Sequence, residues 1–200
     1  MIDSREFCDP VWDLKNFLLL RQYLPSIEDL HRRIMADTII KDFETHVQPK
    51  LTSLKCGIIH MDINKMNIIV RMREGGEYEV AGIIDFGDCA RTCCIFELAE
   101  VLSKLLSNSK DPICVIGPML CAGYLEAFHL SREELECLYY IILARLCLGA
   151  VMTSIQFQRE PWNSYVGSLA SPSWQFAEEL LKTPKEDVDR MWAEVKMKNV

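Results

Sequence analysis

Apolar residues recur at helical spacing over most of the chain and give way to short β-branched runs in one stretch only. After Asp9-Pro10, which suits an N-cap followed by the first helical position, Val11, Leu14, Phe17 and Leu18 predict a short helix. Leu24-Pro25 interrupts it. Ser26, with Asp29 three residues on, is placed to cap a second helix running to about Gln48, with Ile27, Leu30 and Ile34 on its apolar face. Glu28, Arg32, Arg33, Lys41 and Asp42 form its solvated side. Beyond Ala90 the helical period returns. Glu97 to Leu106 carries Leu98, Val101, Leu102 and Leu105 on one face, and Asp111-Pro112 starts another helix. Ser131-Arg132-Glu133-Glu134 is a capping box that opens a long apolar helix. Ser171-Pro172 and Thr183-Pro184-Lys185-Glu186 each pair an N-cap with proline at the first helical position. Val188, Met191, Trp192 and Val195 complete a last amphipathic helix.

The exception is residues 57–88. Gly57-Ile58-Ile59, Asn67-Ile68-Ile69-Val70 and Tyr78 to Ile84 are too short for helices and rich in β-branched residues, and Glu74-Gly75-Gly76 is a turn signal between the last two. They predict a small antiparallel hairpin with polar loops at both ends, one holding Asp62 to Asn67 and the other beginning at Asp85. The expected class is α+β, mostly helical: a single domain over 1–200, with the hairpin region at 57–88 and a helical part at 95–198.

Two hundred residues with 50% hydrophobic content suffice for one substantial core. A formal charge of −7 excludes the clustered basic surface that a nucleic-acid backbone demands. The nine cysteines are an odd number scattered along a chain with neither a signal peptide nor a glycosylation sequon, which predicts reduced thiols and a cytoplasmic location. The apolar tract from Cys137 to Ile155 approaches the length that spans a bilayer, but Arg145 sits at its middle. A central arginine opposes insertion by about 2.5 kcal/mol or more, so the tract is expected to be a buried helix, with no membrane partner.

The chemistry-bearing residues lie in the hairpin loops. Asp62, Asn67 and Asp85 are spaced so that two carboxylates and an amide can converge, as phosphoryl transfer requires: one carboxylate accepts the acceptor's proton while an asparagine and a second aspartate hold magnesium. The plainer alternative is that Asp62 and Asn64 form Asx-turns and Asp85 caps a loop. Cys89, Cys93 and Cys94 form C-x3-C-C without a second paired cluster, a poor zinc pattern.

His60-x-Asp62-x4-Asn67 followed by Ile84-Asp85-Phe86-Gly87 resembles the catalytic loop and metal-binding motif of the kinase-like fold. The arginine of the protein-kinase His-Arg-Asp is absent and no Ala-Pro-Glu segment follows, so the motif is more similar to the aminoglycoside phosphotransferase (choline kinase-like) family. That resemblance implies Asp62 as catalytic base, Asn67 and Asp85 as Mg2+ ligands and His60 as a brace of the catalytic loop. Asn64 and Asp88 rank behind these as candidates, Asp88 for the metal or for a substrate amine, and Glu97 falls to helix start or packing. It further implies transfer of the γ-phosphate of GTP or ATP to a small hydroxylated amino acid or amine, 5-hydroxylysine being the acceptor expected. Met61 stands where the family usually carries glycine. Nothing before His60 resembles the small lobe that supplies a glycine-rich loop and a strand-borne lysine. The chain therefore resembles the large C-terminal lobe alone, and little kinase activity is expected of it by itself. The alternative is an inactive lobe whose exposed surface binds a protein partner.

Overall fold

The computed structural model of the chain describes residues 10–106, 117 and 123–198. The helix expected to start at Asp111-Pro112 falls outside the described residues. The chain opens in 3-10 geometry, at Pro10–Trp12 and then at Leu14–Ser26, not as an α-helix capped by Asp9. Asp13 is the cap. Its carboxylate accepts from the Lys15 amide at 3.0 Å and from the Thr92 hydroxyl at 2.8 Å, which ties this segment to a later strand.

Helix α1 (Leu30–His46) is capped by Asp29, whose side chain accepts from the Arg32 amide. Ser26 ends the preceding turn. With that start, the buried stripe is Met35, Ala36, Ile39, Ile40 and Phe43, while Leu30 and Ile34 lie on the opposite side of the helix and are exposed. The expected apolar face was thus out of phase beyond Ile27, which is buried.

Four strands follow where three were expected. β1 (Cys56–Ile59) does not join the hairpin; it pairs antiparallel with β4 (Ala90–Cys93), a strand hidden in a stretch that looked helical. β2 (Ile68–Met72) and β3 (Tyr78–Ile83) form the hairpin, with a register shift between Ile69 and Val70. Its turn uses Gly75 and Gly76 at φ of 113° and 88°, values that L side chains rarely adopt. Gly57 is needed for another reason: a Cβ there would lie 2.8 Å from the Cys94 sulfur. The two ladders are consecutive, so the loop between β1 and β2 and the loop between β3 and β4 emerge side by side.

The core is helical. α2 (Ile95–Leu106) and α3 (Arg132–Arg159) bury Leu98 and Leu102 against Leu138, Ile141 and Ile142. The capping box at the start of α3 is formed as expected, the Ser131 hydroxyl accepting from the Glu134 amide and the Glu134 carboxylate from the Ser131 amide. By length and composition α3 could also cross a bilayer, but most of its apolar window is buried inside the fold. α4 (Ser164–Lys182) runs through Pro172 and does not begin there. Pro172 lacks the amide for one helical bond, and the helix is held beyond it by burial of Trp174, Ala177 and Leu180 and by the Trp174 indole donating to Ser154. α5 (Lys185–Lys198) starts within one residue of the Thr183-Pro184 signal and buries Val188 and Trp192.

Candidate active site

The loop from His60 to Asn67 is held from three sides. Glu97, in the first turn of α2, accepts from the His60 and Met61 backbone amides, each at 2.9 Å. Met61 sits at φ 67° between them, a left-handed conformation that explains why glycine suits this position and why the clamp is needed with methionine there. The His60 ring accepts from the Asp62 amide through Nδ1 at 3.3 Å and therefore donates from Nε2 to the Ile84 carbonyl at 2.9 Å. Its ring centroid lies 4.9 Å from that of Phe86, the two rings tilted at 54°. His60 is buried and joins the two polar loops directly.

Asn67 makes the second join. Its side-chain amide donates to the Asp62 carbonyl at 2.9 Å and to Asp62 Oδ2 at 3.0 Å, while its own carbonyl accepts from the Ile84 amide at 3.0 Å. Asp62, half-buried, is thereby oriented by a buried asparagine, and Asp85 follows Ile84 by one residue. Asp85 is exposed at the loop tip with φ 67°, its Oδ1 beside Gly87, and it caps no helix through its side chain. Asn64 takes the local role: its amide donates to the Asp62 carbonyl and its oxygen accepts from the Met66 amide, an Asx-turn.

The donor set suits a hard cation. Both amide hydrogens of Asn67 are committed to Asp62, so Oδ1 is the end that can face a metal, and the Asp85 carboxylate adds a charged oxygen. Magnesium is commonly held by one or two protein oxygens with waters and phosphates completing the shell. Among the described residues no three His, Cys, Asp or Glu side chains converge as a metal cluster. The C-x3-C-C cysteines are split between a half-buried Cys89 and buried Cys93 and Cys94, all free thiols.

Residues missed in the sequence complete the surroundings. Glu100, on α2 and buried, pairs with Arg145 at the middle of α3. Lys104 Nζ lies 3.6 Å from Glu100 Oε1 and 3.9 Å from Asp62 Oδ1. Burial pushes the Arg145 guanidinium down to about 10, and the Asp62 charge opposes that shift, so it stays protonated at neutral pH. A cavity of about 210 Å³ opens here, lined by Trp12, Met61, Asp62, Asp88, Lys104 and Arg145. The only local signal for this group was a charged residue inside an apolar tract.

Glu97 therefore positions the loop and does more than start a helix. Glu97→Ala strips the acceptor from two backbone amides and is expected to lower stability by roughly 2 kcal/mol or more, with Glu97→Gln, which keeps one acceptor oxygen, in between. Urea midpoints measure the order; equal midpoints for wild type and Glu97→Ala would remove the clamp from the account.

The profile of the phosphotransferase enzyme family matches residues 2–136. The hydroxylysine kinases of Xenopus laevis and Mus musculus are each 30% identical to this chain, over 190 and 189 residues, covering 92% of it and 50% of their own length. The hydroxylysine kinase of Danio rerio is 28% identical over 183 residues, 91% of this chain and 51% of its own. The chain spans about half the length of the curated relatives it matches. No solved structure matches.

Proposed function

Because the chain belongs to the phosphotransferase enzyme family, we propose that it is a small-molecule kinase in which Asp62 takes the proton of an alcohol acceptor and Asn67 and Asp85 hold Mg2+. The observation that carries this is the Asn67 amide locked onto Asp62 while the Asn67 carbonyl binds the amide next to Asp85. One asparagine thus sets the distance between a prospective base and a prospective metal ligand. A bound Mg2+ would neutralise charge on the phosphate oxygens. The protein's share is positioning: Glu97 and His60 fix the loop backbone, and Asn67 aims the carboxylate.

The acceptor we propose is the hydroxyl of 5-hydroxy-L-lysine, supported by relatives named hydroxylysine kinase, with GTP as donor on the strength of the motif resemblance. Turnover by these 200 residues is slow in this reading. The described elements hold neither a glycine-rich loop over the phosphates nor a strand-borne lysine, and positioning supplies most of the catalysis in phosphoryl transfer. The test is a product assay by mass, with Mg2+ and either GTP or ATP, comparing 5-hydroxylysine with lysine. Phosphorylated 5-hydroxylysine formed preferentially from GTP is expected, with no product from lysine. Nucleotide hydrolysis indifferent to the acceptor would overturn the assignment.

The hairpin favours a second reading, a binding module without catalysis. Val70, Met72, Tyr78 and Val80 along β2 and β3 are exposed, as is Phe86 beyond them, an apolar surface suited to a protein partner. Asp62-dependent transfer by the chain itself would count against that reading.

A further inference from the structure

The cavity beside Asp62 is charged in a way that phosphoryl transfer alone does not require. Its volume of about 210 Å³ is below the roughly 300–1,000 Å³ of drug-sized clefts and suits a ligand of amino-acid size. Asp62 is one of its lining residues, and the lining also holds two cations, Lys104 and Arg145, and a second carboxylate, Asp88.

Arg145 is the unusual one. A guanidinium in the middle of a buried apolar helix carries a desolvation penalty, and it is retained here by Glu100 on its Nε edge and by the Trp12 ring, 5.5 Å from its central carbon. Glu100 engages one edge of a group that has five N–H donors in a rigid fork, and the side chain lines the cavity. Lys104 stands between Glu100 and Asp62, 3.6 and 3.9 Å from their carboxylate oxygens, and adds a second positive charge to the lining. The lining carries two carboxylates, Asp62 and Asp88, against two cations, Lys104 and Arg145. That balance complements a ligand carrying both ammonium and carboxylate groups.

We propose that this cavity receives the amino-acid end of the acceptor, with Arg145, assisted by Lys104, gripping the α-carboxylate and Asp88 taking an ammonium group. The assignment rests on the kinase reading for which end of the ligand faces Asp62. It goes further in assigning the residues that hold the acceptor's charged groups.

Calorimetric binding to the full chain without nucleotide tests it, with 5-hydroxylysine and its decarboxylated analogue as probes. Loss of a carboxylate bonded by a buried guanidinium is expected to weaken binding at least tenfold, about 1.4 kcal/mol. Lys104→Gln, at a partly exposed site, should narrow that ratio while leaving the fold unchanged. Arg145→Lys, which keeps the charge and removes the fork, should narrow it further, with circular dichroism to confirm folding. Equal affinity for the two probes, or no binding of either, overturns the proposal, as does an unchanged ratio in both variants. The two readings fail separately. A chain that phosphorylates 5-hydroxylysine yet ignores the carboxylate refutes this assignment alone, whereas one that discriminates between the probes but transfers no phosphate refutes the kinase reading alone.

Discussion

Asp62→Asn is expected to lower the rate of phosphoryl transfer by about 10²–10⁴-fold, the range that a positioned general base contributes, with little change in thermal stability. The asparagine is nearly the same size and can still meet the Asn67 amide, at 3.0 Å from Oδ2 in the wild type, through its own oxygen. What disappears is the ability to hold a proton. Single-turnover transfer from labelled GTP registers the loss even where steady-state turnover is slow, and a thermal melt run in parallel separates chemistry from folding. A variant that transfers phosphate at the wild-type rate would show that the loop orients the acceptor without a base at this position.

Arg145→Met carries the largest expected effect on stability. Glu100 is 2% exposed and pairs with Arg145, so removing the guanidinium leaves a buried carboxylate with only the distant ammonium of Lys104 for compensation. Breaking a buried pair in this way costs about 3–5 kcal/mol, equivalent to a fall of roughly 10 °C in Tm for a chain of this size. Replacing both partners by methionine should recover much of that loss, because the penalty lies in the orphaned charge more than in the missing attraction. Urea melts of the two single variants and the double variant give the coupling. Additive losses would mean that Glu100 and Arg145 are solvated independently.

Local patterns carried much of this structure and long-range contacts carried the rest. The Ser131–Glu134 capping box, the start of α5 and the polar loops flanking the hairpin depend on residues a few positions apart, and all are present. β4 was not legible because Ala90-Arg91-Thr92-Cys93 has no clear alternation; it becomes a strand by pairing with β1, its register set by Ile59 opposite Ala90 and Cys56 opposite Cys93. Pro172 looked like a helix start because proline favours the first turn, yet burial of the residues after it outweighs one missing hydrogen bond. The exposure of Leu30 and Ile34 followed from a three-residue shift in the cap, from Ser26 to Asp29.

The candidate site divides in the same way. Asp62, Asn67 and Asp85 were visible because their motif is compact in sequence, and the two adjoining ladders bring their loops together. Glu97 was visible but assigned a lesser role, since nothing local shows a helix-start carboxylate reaching back to the His60 and Met61 amides. Trp12, Lys104 and Arg145 come from three separate segments, and only the fold places them around one cavity, with Glu100 paired to Arg145.

Asp62, Asn67 and Asp85 are proposed to form a metal-dependent phosphoryl-transfer site. Single-turnover incubation of the chain with γ-labelled GTP and 5-hydroxylysine, with Mg2+ and then with chelator, tests it most directly. The account predicts label on the amino acid in the presence of Mg2+ and none after chelation. Label released only to water, or transfer undiminished without metal, would contradict it.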